Sequence, residues 1–351
     1  CHNDARLAEK FNLPVDRAAT YFESFHGLAT RIGSAQVANC ASCHGVHDIR
    51  AANDPASAVH PANLARTCGK CHPSAGQRFA LGKIHVPPER TDTRMAALVR
   101  RIYLVLIPLL VGLMFLHNVL DLRLKVRRRR ENVPGAAPSV EEPRAMYLNE
   151  RIQHLLLAIS FLMLIVTGFA LKFPEAFWAR PIVTWESRWP LRAWLHRAAA
   201  GVLIGTAFYH VIYLGVSRPG RRHWMQLWPR RRDLGEILGA IRQYLGGSLV
   251  RLSTYNYIQK AEYWALVWGT VVMAATGFVL WFNDFSLRYL PRWAIDLATT
   301  IHYYEAILAG LAVLVWHCYW VIFDPDHYPM DWLWWTGTSE AHGKQVEVPA
   351  E

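Results

Sequence analysis

The sequence predicts an all-α membrane protein, with five transmembrane helices behind a loop-rich amino-terminal region. Three observations predict it. Five stretches are apolar over enough residues to cross a hydrocarbon core, which takes about 20 residues of helix. The 351 residues are 52% hydrophobic and include 15 Trp, an abundance that suits the aromatic belts of a bilayer better than a soluble core. Five of the six cysteines, Cys1, Cys40, Cys43, Cys68 and Cys71, fall in the first 71 residues, so the polar amino-terminal region has a chemistry of its own. The formal charge of +11 is concentrated in arginine-rich loops. A membrane explains that pattern without a nucleic-acid partner.

Residues 1–95 form the first domain. They are polar, rich in Ala, His and Pro, and contain no helix-length apolar run. CASCH (Cys40, Cys43, His44) and CGKCH (Cys68, Cys71, His72) are two copies of C-x-x-C-H, the attachment pattern of c-type haem. Two thiols add to the vinyl groups on one porphyrin edge, and the next histidine binds the iron. Cys1-His2 reads as the tail of a third copy. The chain starts there with neither an initiator methionine nor a signal sequence, which reads as the interior of a longer protein. A four-cysteine zinc site is the rival reading. The histidine after each pair and the expected oxidising compartment argue against it. A second axial ligand for each haem would come from His26, His47 and His85. His60, in an Ala/Pro-rich loop, is the spare ring. His47 lies three residues from His44, too close to reach the opposite face of the same iron, so it would cap a neighbouring haem.

The first span, 96–126, contains ALVRRIYLVLIPLLVGLMFLHNVLDL and ends in KVRRRR. A Pro/Gly/Ala-rich linker, 127–148, follows. Residues 149–325 hold four more spans, about 149–172, 191–216, 258–282 and 296–323, and residues 326–351 form a tail. The basic loop between the third and fourth spans, SRPGRRHWMQLWPRRRDLGEILGAIRQYLGGS, has an amphipathic part that suits the membrane interface. Loops after spans one and three carry Arg123, Lys125, Arg127–Arg130, Arg144, Arg218, Arg221, Arg222 and Arg230–Arg232, whereas those after spans two and four carry few basic residues. The positive-inside rule then places the amino-terminal domain outside and the carboxyl tail inside.

Ionisable residues within spans are costly and point to function. The third span carries His196 and His210, and the fifth carries His302 and His317. Spacings of fourteen and fifteen residues return to a broadly similar helix face. Thr167-Gly168-Phe169 and Thr276-Gly277-Phe278 precede these two spans as a weak repeat. Span two adds His154. Facing imidazoles follow at two depths: His196 with His302 near the outer face, and His317 with either His154 or His210 near the inner. Two b-type haems stacked across the bilayer, their irons about 20 Å apart by helical rise, would satisfy them. Cys318, beside His317, reads as packing.

HLLLAISFLMLIVTGF, HRAAAGVLIGTAFYH and IHYYEAILAGLAVLVWH resemble the four-helix, dihaem cytochrome b subunits of formate dehydrogenases and nickel-iron hydrogenases. CASCHGVHDI and TCGKCH extend the resemblance to a hybrid form in which the b unit follows a multihaem cytochrome c. The resemblance implies His154, His196, His302 and His317 as the b-haem ligands. Two departures stand against it: an additional first span carrying His117, and His210 at the inner end of span three.

The resemblance also implies exchange of electrons with menaquinone or ubiquinone near the inner haem. Proton groups for that exchange are sought among His117, Asn118, Asp121, Glu150, Arg151, His210, Lys260 and Glu262, with His210, Asp121 and Glu262 foremost. Glu305, one turn beyond His302, is expected near the outer haem. The expected protein is a quinone–cytochrome c-type oxidoreductase of the bacterial inner membrane, or a subunit of one. Its haem domain would lie in the periplasm and its carboxyl terminus in the cytoplasm. Expected partners are lipid, quinone, and further c-type cytochromes or a periplasmic redox subunit within a multi-subunit complex. The alternatives are an electron-relay and anchor subunit without quinone chemistry, and a non-redox protein with a zinc-bound outer domain.

Overall fold

The computed structural model describes residues 4–11, 13, 15–22, 24–31, 33–34, 36–73, 84–85, 94–131, 146–186, 191–248, 252–253 and 255–337. Cys1 and His2 lie outside the described residues, as do most of the linker and the end of the tail. Among the described residues every regular element is helical. Five helices are long and apolar enough to cross a membrane: α6 (Arg94–Arg130), α7 (Leu148–Lys172), α9 (Leu191–Val216), α12 (Tyr257–Trp281) and α14 (Arg292–Ala312) with its continuation to Phe323. Their outward surfaces are apolar, as at Leu104, Val105, Leu109 and Phe115 on α6. Such surfaces suit lipid, because a helix satisfies its own backbone and needs no water there.

The chain forms two compact units. One comprises Cys1–Tyr103, Leu162–Ala199 and Met273–Tyr304; the other comprises Leu104–Phe161, Ala200–Val272 and Glu305–Glu351.

The first unit contains five short helices of the amino-terminal region: α1 (Ala5–Lys10), α2 (Arg17–Phe22), α3 (Phe25–Arg31), α4 (Cys40–His44) and α5 (Leu64–Gly69). Among the described residues of this region, the buried apolar side chains are Ala8, Tyr21 and Ala29. Polar ties do much of the work. The Tyr21 hydroxyl reaches Thr30 Oγ1 at 2.7 Å and the Ala38 carbonyl at 2.9 Å. A methyl group on Gly27 would stand 2.0 Å from the Tyr21 carbonyl oxygen, so glycine is required for α3 to fold back on α2 beside His26. This region is tied to the segments that follow two membrane helices by Arg31–Glu175 at 3.6 Å and His72–Asp284 at 3.2 Å. Asp284 lies on α13 (Asn283–Tyr289), the short helix after α12; α8 (Arg180–Glu186) follows α7.

The second unit contains the remaining parts of the long helices, α10 (Arg218–Leu227), α11 (Arg231–Tyr244) and α15 (Leu333–Thr336). Here α6 continues past the expected end of its span to Arg130. Lys and Arg are good helix formers, and their charge suits a helix carboxyl end. Lys125 also finds acidic partners: Asp121 at 3.0 Å and Asp324 at 2.7 Å. The last membrane helix changes character after Ala312. Val313–His317 and Tyr319–Phe323 are π-helical, a form often found at functional sites. Fifteen residues at 3.6 per turn overshoot four turns by roughly 60°. The wider turn ending at His317 takes back part of that rotation.

Candidate functional site

The C-x-x-C-H helix α4 shows how local sequence builds a site. Asn39 caps it, accepting from the Ser42 amide at 3.0 Å, while Ser42 Oγ accepts from the Asn39 amide at 3.2 Å. Such reciprocal caps stabilise very short helices. One helical turn places Cys40 and Cys43 on one side, with His44 next in line, before Gly45 ends the helix at φ 81°. Burial pushes the Cys43 thiol up, and nearby Cys68, Cys40 and Cys71 add to it. Both cysteine pairs therefore lie close to one another. Among the described residues, however, no group of three or more His, Cys, Asp or Glu side chains could hold a metal ion.

Histidines instead come together in facing pairs. The rings of His44 and His85 have centroids 6.3 Å apart, and those of His26 and His72 are 6.1 Å apart. In the second unit, His154 and His317 are 6.3 Å apart. Two metal–imidazole bonds of about 2 Å, plus the half-width of each ring, require roughly 6 Å. His196 and His302, in the first unit, lie within electrostatic reach of one another. His47 is exposed beyond α4. His60 accepts a hydrogen bond from the Ala62 amide at 3.3 Å within its own loop.

Hydrogen bonds fix which nitrogen several of these rings present. Thr167 Oγ1 donates to the Met163 carbonyl at 2.6 Å, so towards His196 it acts as acceptor: Nδ1–H of His196 donates to it at 2.8 Å. Thr276 repeats the arrangement, donating to the Met273 carbonyl at 3.3 Å and accepting from His302 Nδ1–H at 2.9 Å. Thr20 does the same for His85, donating to the Asp16 carbonyl at 2.8 Å and accepting from the ring at 3.2 Å. Glu262 accepts from His317, and Asp284 accepts from His72 at 3.2 Å. In all five, Nδ1 carries the bonded proton and Nε2 points away from that partner. A metal-binding imidazole needs that arrangement, and a bonded second nitrogen also fixes the ring plane. Burial pushes His85 below the ordinary histidine value, and Arg17 adds to this, a shift that favours the neutral ring a ligand needs.

The glycines of the repeat complete the arrangement. A methyl on Gly168 would stand 3.4 Å from Cε1 of His196, and one on Gly277 would stand 3.3 Å from Cε1 of His302. Each Thr-Gly pair thus supplies an acceptor for the ring and leaves room beside it. In the sequence the glycines stand out only through the Thr-Gly-Phe repeat. The threonine role was visible only as the repeated Thr.

The remaining expected groups all lie in the second unit. His210 Nδ1–H donates to Gln153 Oε1 at 2.7 Å, and its Nε2 faces the Tyr263 hydroxyl at 3.3 Å. Both nitrogens are therefore engaged by side chains, whereas His154 faces His317 and keeps a buried Nδ1 without a partner among the described residues. Asp121 accepts from the Tyr319 hydroxyl at 2.7 Å and pairs with Lys125. Glu150 accepts from Tyr213 at 3.0 Å and His223 at 2.9 Å. Lys260 donates to Asp233 at 2.7 Å, and Asn118 donates to the Val315 carbonyl at 2.6 Å. His117 meets the Tyr257 hydroxyl at 2.7 Å. Arg151 lies beside Gly337, and Glu305, in this unit too, lies beside Gly269.

Membrane helices that carry inward-facing histidines, held by hydrogen bonds to one nitrogen and cleared by glycines, define a membrane haem protein. Residues 147–326 match the family model for prokaryotic cytochrome b561, and the chain belongs to that family. It is therefore a membrane electron-transfer subunit of the b-haem class. The chain is similar to the formate dehydrogenase cytochrome b556 subunit of Haemophilus influenzae, 27% identical over 49% of this chain and 68% of that protein. It is also similar to the formate dehydrogenase cytochrome b556(fdo) subunit of Escherichia coli K12, 24% identical over 48% of this chain and 74% of that protein. No solved structure matches it.

Proposed function

We propose that this protein carries electrons across the bacterial inner membrane between quinone and periplasmic c-type haems, as one subunit of a larger respiratory complex. The observation that carries the reading is the set of facing imidazoles about 6 Å apart, with Nε2 presented wherever Nδ1–H is bonded. His154 with His317, and His196 with His302, would hold two b haems. Cys40, Cys43, His44 and His85 would hold one c haem, and Cys68, Cys71, His72 and His26 another. A haem iron bound by two histidines exchanges single electrons and leaves no position for substrate.

The residues around the rings orient them. Thr167, Thr276 and Thr20 accept the Nδ1 protons as neutral oxygens, whereas Glu262 and Asp284 accept as carboxylates. A carboxylate raises the electron density of the ring more than a hydroxyl does, so His317 and His72 would be the stronger donors to iron. With Glu262 placed on His317, its role is to hold that ring. His210, bonded to Gln153 and Tyr263, is then the foremost group for moving a proton at the quinone end.

One observation favours the relay-and-anchor reading: His210, Asp121 and Glu262, the three foremost proton groups, all have protein partners. Adding a quinol to the oxidised, reconstituted protein separates the two. Reduction of b haem within the first turnovers is expected. Failure of both menaquinol and ubiquinol analogues to reduce any haem that dithionite reduces would leave the relay alone.

A further inference from the structure

The basic loop between α9 and α12 is built inside out. On α11 the acidic side chains are buried: Asp233 is 8% exposed and Glu236 is 4% exposed. Each is satisfied by the entry to α12. Lys260 donates to Asp233 at 2.7 Å, while Ser253 donates to Glu236 through its amide at 3.1 Å and its hydroxyl at 2.7 Å. Leu234, Leu238, Ile241 and Leu245, at spacings of four, three and four, form the opposite stripe, with Leu245 83% and Leu234 64% exposed. Polar contacts fasten the inner face, so the leucine stripe is held outward. Before it, α10 starts at Ser217, whose hydroxyl accepts from the Gly220 amide at 2.9 Å. Its end is clasped to α12 by the Trp264 indole, which donates to the Leu227 carbonyl at 3.0 Å. Met225 and Trp228 extend the exposed apolar surface.

Around that surface stand exposed arginines: Arg218, Arg221 and Arg222 on α10, and Arg230, Arg231 and Arg242 on or beside α11. Water is a poor partner for the leucines, and like charges this dense repel one another unless something negative lies between them. A surface that is apolar along one stripe and cationic along its margins matches a phospholipid leaflet, with acyl chains under the stripe and phosphates at its edge.

We propose that α10 and α11 form a docking surface for anionic phospholipid in the leaflet on their side of the membrane. Acyl chains take the Leu234–Leu245 stripe, and the phosphodiester groups take the arginines. The proposal is independent of haem and quinone.

The test uses the full protein in nanodiscs of equal phosphatidylglycerol and phosphatidylcholine, with retained lipids counted by native mass spectrometry. Wild type is expected to keep phosphatidylglycerol in preference. The quadruple variant Arg218→Gln, Arg222→Gln, Arg231→Gln and Arg242→Gln is expected to lose that preference at least tenfold. The matching Arg→Lys variant, which restores charge at the same sites, is expected to keep it. All four side chains are exposed, so folding does not depend on them. Equal phosphatidylglycerol retention by wild type and the Gln variant would overturn the proposal. So would a Gln variant that keeps the lipid but loses a copurifying subunit, because the surface would then belong to a protein partner.

Discussion

Thr167 and Thr276 illustrate how much a single hydroxyl decides. Each already spends its proton on a carbonyl of its own helix, so each can only accept from the histidine it faces. That fixes the tautomer of His196 and His302 before any iron arrives. Thr→Val keeps the shape and removes the acceptor. We expect Thr167→Val and Thr276→Val to retain both b haems but to raise the midpoint potential of one of them, because a ring without its acceptor donates less density to iron. A spectroscopic redox titration reads this directly. An unchanged potential in both variants would show that the two hydroxyls only pack. The histidines themselves were legible in the sequence, because ionisable rings in spans stand out. Thr167 and Asp284 were not, since a threonine in a membrane helix and an acid in a short connecting helix are ordinary until the neighbour from another segment is seen. His210 is the converse case. Helical spacing made it equivalent to His317, and only Gln153 and Tyr263, from two other helices, distinguish it.

At the scale of elements, the carboxyl end of α6 is locked to the turn after the last membrane helix. Lys125 lies between Asp121 and Asp324, whose side chain is 2% exposed, and Arg129 donates to the Pro325 carbonyl. Burial pushes the Asp324 carboxyl up, but His327 and Lys125 outweigh it and bring it down to about 2. A depressed carboxylate contributes stability above its ordinary value near 3.9, and that contribution is lost as pH falls through about 2. Lys125→Met would strand two buried carboxylates, a change that costs about 3–5 kcal/mol when a buried pair is broken. The expected result is a lower unfolding temperature at neutral pH, with the difference from wild type shrinking as pH falls below 4. A variant as stable as wild type at neutral pH would place this cluster among the pairs that contribute nothing. The sequence showed Lys125 only as part of a basic run that ends a span. Its acidic partner lies about 200 residues further on, a separation that periodicity does not bridge.

For the whole molecule, the five membrane-length apolar helices were legible in the sequence, because a bilayer sets both length and composition. The π-helical end of the last span could not, since its sequence is as apolar as the α-helical part before it. In the amino-terminal region the sequence shows the two C-x-x-C-H motifs, while the pairing of their histidines with His85 and His26 joins segments that periodicity does not bridge. The central claim is that one chain holds b-type haem in its membrane helices and c-type haem in this region. A pyridine haemochrome spectrum of the purified protein separates the two by their α-band positions. The expected result is two b haems with at least two c haems per chain. Signal from c-type haem alone would leave His154, His196, His302 and His317 without the iron assigned to them and would contradict the account.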